Sequence, residues 1–279
     1  MSKRGAGTAR PMGLLGLAGL LAGAVVMLVP FVWMALTSFK TLVETMQVPI
    51  TWLPGQFRLE NYAEVLLKMD FQRYYLNTVI MTLAVDAAQL LTCATAAYAF
   101  AKMRFPGRDA LFFILLSILM IPAQMTLLPR YQLMTRIGWQ NTLQGLIVPM
   151  IPSAYGVFFL RQFFLALPGD LNDAARIDGC GHVRTFALID APLCKSALIA
   201  YGVINTLWAW NELLWPLVIT NSDSMKVLSL AMAAMQGEHA TKYHTLMAAS
   251  VMATLPMILL FLVAQKHYVE GIVFTGIKA

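Results

Sequence analysis

Residues 137–160 read IGWQNTLQGLIVPMIPSAYGVFFL and carry no charge. Shortly after, residues 170–192 read DLNDAARIDGCGHVRTFALIDAP and carry six: Asp170, Asp173, Arg176, Asp178, Arg184 and Asp190. The first stretch is long enough to cross a bilayer, which takes about 20 apolar residues. The second stretch cannot enter hydrocarbon. That contrast recurs along the chain. Residues 11–39, 110–129 and 245–265 carry no charge, residues 74–101 carry only Asp86, and residues 196–222 carry only Glu212. Mean hydropathy is +0.67 over 279 residues with 12% charged, against roughly 25% in soluble domains.

In hydrocarbon only helices and closed barrels satisfy their backbone, and these runs lack a barrel's alternation. The reading is an all-α integral membrane protein. One transmembrane domain covers residues 1–279, with six transmembrane helices near 13–36, 76–101, 110–129, 141–163, 197–220 and 245–267. A cytoplasmic loop at 166–194 joins spans four and five. The first run is too long for the core of a cleaved signal, about 7–15 residues, and reads as an uncleaved anchor. Placing the N-terminus inside puts twelve Lys and Arg on the inner side and eight on the outer. Positive residues mark the cytoplasmic side, so both termini are expected in the cytoplasm. The short loop KMRFPGR, residues 102–108, gives the clearest vote. The net charge of +6 follows from this topology and calls for no nucleic acid.

Other classes fall away. No G-x-x-x-x-G-K-[ST] loop and no G-x-S-x-G turn occurs. His239 and His244 are five apart, a poor separation for two ligands on one helix face. Cys93, Cys180 and Cys194 show no CxxC spacing and read as small apolar residues. Pro122 in span three, and Pro149 and Pro152 in span four, predict kinks. In the first outer segment, TWLPGQFRLENYAEVLL (51–67) reads as a turn and a short amphipathic helix, with Leu59, Tyr62, Leu66 and Leu67 on one side.

The charged insert reads as two short helices at an angle. Asp170 is placed to cap the first, with Asp173 favoured at its positive end, and Gly179 to end it in a left-handed turn. The alanines leave a low surface that another protein's backbone can approach closely, and a loop capped for stability that meets only lipid headgroups is the other reading. The second helix, HVRTFALID, is expected to stop before Pro192, with Phe186 and Ile189 on its own bundle.

Asp173-Ala174-Ala175, then Asp178-Gly179, then Ile189-Asp190-Ala191-Pro192 resemble the E-A-A-x-x-D-G-A and apolar-x-L-P pattern of permease subunits of ATP-binding-cassette importers. SFK at 38–40, LENY at 59–62, AYAFAKMRFPGR at 97–108, WNELLWP at 210–216 and VEGIVFTGIKA at 269–279 look like the shorter six-span permease of the carbohydrate-uptake branch, the maltose and glycerol-3-phosphate type. The resemblance covers nearly the whole chain. Asp173 is one methylene shorter than the usual Glu, Cys180 stands for Ala, Ala191 for Leu, and Ser196 where Pro is common.

The resemblance implies an inner-membrane importer of two different permeases, two ATP-binding subunits and an extracytoplasmic substrate-binding protein, in contact with membrane lipid. ATP is used by the partner subunits, and no cofactor by this chain. Asp173, Ala174, Ala175, Arg176, Asp178, Gly179 and Pro192 are implied to couple it to the ATPase. Gly276, Ile277 and Lys278 resemble a tail reaching toward the ATPase dimer. The outer loop 221–245 is implied to meet the docked binding protein.

Asp86, mid-span, and Trp208, Asn211 and Glu212 are candidates for the translocation path, since intramembrane charges face an interior or a wet path. An interhelical hydrogen bond remains the other reading of Asp86. Trp208, Trp210 and Trp215 read first as an interfacial belt. The implied cargo is a di- or oligosaccharide, with a polyol phosphate such as glycerol phosphate as the alternative. From another class, an ion-coupled secondary transporter would have only Asp86 and Glu212 for coupling.

Overall fold

The computed structural model describes residues 13–236 and 241–276, and within them the secondary structure is helical. Helices α1 (Leu14–Thr37), α2 (Leu42–Met46), α3 (Glu60–Lys68) and α4 (Phe71–Lys102) open the chain. Next come α5 (Arg108–Met120), α6 (Ala123–Arg136), α7 (Leu143–Met150) and α8 (Ala154–Ala166). Then follow α9 (Gly169–Ile177), α10 (His182–Leu193) and α11 (Lys195–Asn211). Helices α12 (Leu214–Ile219), α13 (Leu228–Ala234) and α14 (Tyr243–Gly276) complete it.

Three helices are long and apolar enough to cross a membrane, over Gly16–Thr37, Phe71–Lys102 and Tyr243–Gln265. The number rises to six if three bent pairs each count as one span. α4 runs unbroken for 32 residues because it holds neither Pro nor Gly. α5 and α6 meet at 96°, and α7 and α8 at 45°. Ile121 is driven to an extended conformation (φ −89°, ψ 118°) by the ring of Pro122, as a residue before proline usually is. The kinks expected from Pro122, Pro149 and Pro152 are therefore present. The region 197–220 is not one rod, since α11 ends at Asn211 and α12 restarts at Leu214.

α4 is the central post, packed by α8 on one side and α11 on another, while α14 lies against α11, α1 and α3. The α4–α8–α11 contact is made close by small residues. Ala94, Ala97, Ala197 and Cys93 are buried there with Tyr201, and a Cβ on Gly156 would stand 2.2 Å from Tyr201 Oη. Without a hydrophobic drive between helices in lipid, such close approach supplies the packing.

α3 turns Asn61 and Val65 inward, at 5% and 0% exposure. Leu59, Leu66 and Leu67 face out, while Tyr62 of the same expected side is half-buried against the core, so that side is buried only in part. A helix this short docks through whichever face its entry turn presents. The segment 221–228 is fixed to α4, where the Asn77 amide donates to the Ser224 and Lys226 carbonyls at 2.9 Å each. Leu228 N–H donates to Thr78 Oγ1 at 2.7 Å.

Candidate functional site

α9 stands outside the bundle. Pro168 occupies the cap position and Asp170 the first turn, with no capping side-chain hydrogen bond. Asp170 therefore acts on the helix through its charge at the positive end, not as the expected cap, because Pro168 has already turned the chain into the helix. The far end behaves as read from sequence. Gly179 has φ +78°, Cys180 N–H donates to Ala175 O at 2.8 Å and Gly179 N–H to Arg176 O at 3.0 Å. This is the paired bond pattern of a Schellman end.

Ala175 faces inward at 4% exposure, while Asp173, Ala174, Arg176, Asp178 and Gly179 are exposed. Ile177 is 87% exposed and, across the turn, Val183 is 82% exposed. Two unpartnered branched apolar side chains thus project beside a low alanine surface.

α10 departs from expectation by running through Pro192 to Leu193. Phe186–Asp190 form a π turn, whose longer hydrogen-bond step shifts the ladder. Pro192 then falls in the first turn of the segment that follows, where its missing N–H is not needed. The chain bends by 79° after Leu193 to begin α11. Phe186 roots α10 on the bundle, with ring centroids 5.1 Å from Tyr98 and 6.0 Å from Phe164.

Sequence reasoning missed the bond between the two short helices. The Asn172 amide donates to the Asp190 carboxylate, at 3.1 Å to Oδ1 and 3.4 Å to Oδ2, and Asp190 is fully buried. The signal was present. Asn172 lies three residues before Ala175 on the inward face, and Asp190 four after Phe186. Beside this bond a cavity of about 110 Å³ is lined by Tyr98, Arg176 and His182 among others, and Tyr98 Oη makes no hydrogen bond among the described residues.

A larger cavity of about 600 Å³ lies where the proline breaks open the bundle, lined by Gln89, Arg130, Tyr155, Tyr201, Asn205 and Trp208 among others. Tyr201 Oη donates to Gln89 Oε1, whose amide donates to Met150 O at 2.6 Å. Trp208 is 47% exposed and lines this cavity. Asp86 accepts from Asn205 Nδ2 at 2.9 Å and Thr206 Oγ1 at 3.2 Å, an interhelical bridge between α4 and α11.

The other two path candidates are elsewhere. Asn211 lines a separate groove of about 480 Å³ beside α13 and α14, and its amide donates to Leu207 O on its own helix at 2.7 Å. Glu212 Oε1 accepts from the backbone N–H of Trp215 at 3.0 Å, starting α12. Trp210 and Trp215 are buried, at 7% and 2% exposure. Their indole N–H groups donate to Ala253 O at 3.2 Å and Gly145 O at 3.1 Å, so these two rings are internal struts and not a belt. Gly276 is the last residue of α14, and Ile277 and Lys278 lie outside the described residues.

An exposed short helix thus stands outside an apolar bundle and is rooted on it by a second helix. The chain belongs to the family described as binding-protein-dependent transport system inner membrane component, which matches residues 90–272. It is 34% identical over 252 residues to the arabinooligosaccharides transport system permease protein AraQ of Halalkalibacterium halodurans, covering 89% of this chain and 90% of that protein. It is 30% identical over 265 residues to the sn-glycerol-3-phosphate transport system permease protein UgpE of Brucella suis, covering 92% and 94%. Its fold matches a chain in the crystal structure of a bacterial ABC transporter involved in import of the acidic polysaccharide alginate. The TM-score is 0.81 at 21% identity, covering 96% of this chain and all of that one.

Proposed function

We propose that this chain is one of two permease subunits of an ATP-driven carbohydrate importer of the bacterial inner membrane. It crosses six times with both termini in the cytoplasm, has no ATPase site of its own, and is worked through the loop 166–194 by separate ATP-hydrolysing subunits. An extracytoplasmic binding protein delivers the cargo.

The observation that carries this reading is α9. Its exposed face combines Ala174 with the projecting Ile177 and Val183, its end is fixed by Gly179, and its root is seated on Tyr98 and Phe164 through Phe186. A helix of set length on a stiff base can transmit a displacement. The similarity to curated sugar and sugar-phosphate permeases over nine-tenths of the chain supports the cargo class. Trp208 and Tyr155 beside Gln89 and Asn205 in the larger cavity suit a solute with apolar faces and a polar rim. Asp86 and Glu212 are both engaged within the chain, which argues against an ion-coupled transporter.

A polyol phosphate is the second reading of the cargo, favoured by Arg130 on the cavity wall. Gly179→Val tests the coupling assignment. Valine resists the positive φ at this position, so ATP hydrolysis by the assembled complex should persist while uptake falls at least tenfold. Normal uptake by that variant would remove the coupling role.

A further inference from the structure

Asn172 and Asp190 close a frame. α9 and α10 meet at the turn formed by Gly179, Cys180 and Gly181; the Schellman bonds fix Gly179 and Cys180 to α9, and Gly181 beyond them is the conformationally permissive point of the joint. The Asn172–Asp190 bond joins the arms far from it. Asn172 is seven residues before Gly179, roughly 10 Å along a helix rising about 1.5 Å per residue. A contact at that distance from a hinge resists bending with the greatest leverage.

Asp190 also reaches the other way, since its carbonyl accepts Cys194 N–H at 3.0 Å at the corner where α11 begins. One residue therefore holds the exposed helix by its side chain and the next span by its backbone. As an adhesive the arrangement is costly. A fully buried carboxylate bears a large desolvation penalty, and an apolar pair of the same size commonly holds helices as well or better. What the polar pair adds is direction.

Resting on the coupling role of α9, we propose that Asn172 and Asp190 are positioning residues that make α9, α10 and the start of α11 move as one body when the ATPase closes.

The test uses the complete importer in proteoliposomes, with ATP hydrolysis and uptake of labelled lactose, arabinotriose and sn-glycerol-3-phosphate measured in the same vesicles. Amide exchange over residues 170–178 is followed in parallel. Asn172→Leu, which leaves Asp190 without its donor, should raise the ATP spent per solute at least fivefold. It should also speed exchange over 170–178 about tenfold, with complex content unchanged. The reversed pair, Asn172→Asp with Asp190→Asn, rebuilds an amide–carboxylate bond and should return both values to within twofold of wild type.

Unaltered exchange in Asn172→Leu, an unaltered ATP ratio in a complex that transports, or a reversed pair that rescues neither value overturns the proposal. Should Asn172→Leu assemble poorly, the reversed pair decides alone, because it alters both residues and keeps only the bond. Failure here alongside an uncoupled Gly179→Val leaves α9 as the coupling site and removes only the frame. Normal uptake by Gly179→Val removes the coupling site itself.

Discussion

The side-chain amide of Asn61 donates to two backbone carbonyls, those of Ser38 at 2.8 Å and Lys40 at 2.9 Å. Two stretches that look unrelated in sequence, SFK and LENY, are thereby one joint. Ser38 Oγ and Tyr62 Oη are also 2.6 Å apart. Lys40 is 1% exposed, bonds to Thr51 O, and lies over the Trp33 ring at 4.2 Å. The segment between α1 and α3 is thus folded back onto the end of α1.

Replacing Asn61 by Leu strands two carbonyls, each costing about 1–3 kcal/mol when buried without a partner. The variant should lose the order of this segment first, seen as faster proteolysis within residues 41–60, while the long helices remain protected.

Acid should loosen the same segment. The backbone N–H groups of Thr41 and Gly55 donate to the Glu44 carboxylate at 2.7 and 2.9 Å and hold its pKa below the usual range. A depressed carboxylate contributes stability that is complete above its unfolded pKa and is lost as pH falls through the folded value. The protection of amides over residues 41–58, taken relative to the intrinsic exchange rate at each pH, should therefore fall as pH drops below the ordinary carboxylate range, and Glu44→Gln should flatten that dependence.

Gly156→Ala probes the centre of the bundle. Its Cβ would lie 2.2 Å from Tyr201 Oη and 2.8 Å from Cys93 Sγ, so α8 must move off α4 and α11. Overpacking of this kind costs about 1–3 kcal/mol. Folded yield on size-exclusion chromatography should fall, in contrast to Gly179→Val, which changes no packing.

The two tryptophan environments should separate cleanly. Trp215→Phe removes the indole donor to Gly145 O, a bond worth about 0.5–1.5 kcal/mol, and should lower thermal stability. Trp208→Phe breaks no described hydrogen bond, and as a cavity wall residue it should leave stability alone while raising the KM for uptake.

Much of this was legible beforehand. Uncharged windows located the long apolar helices because the cost of charge in hydrocarbon is large and local. Pro122, Pro149 and Pro152 announced the bends, and Gly179 the left-handed end, because those residues act on their own backbone. What failed to show depends on partners distant in sequence. The burial of Trp215 needs Gly145, that of Trp210 needs Ala253, and Asp190 needs Asn172. Asp170 misled because Pro168 had already turned the chain, and Pro192 because a π turn absorbed it. The path candidates divided for a simpler reason, as Trp208 and Asn211, three residues apart on α11, open onto different grooves.

The central claim is that a separate ATP-hydrolysing subunit grips α9. The most direct measurement places a photo-crosslinking phenylalanine at Ile177, 87% exposed, in the intact complex and identifies its adduct after illumination. An adduct with the ATP-binding subunit is the predicted result. Capture of lipid alone, or of no protein while that subunit copurifies, would contradict it.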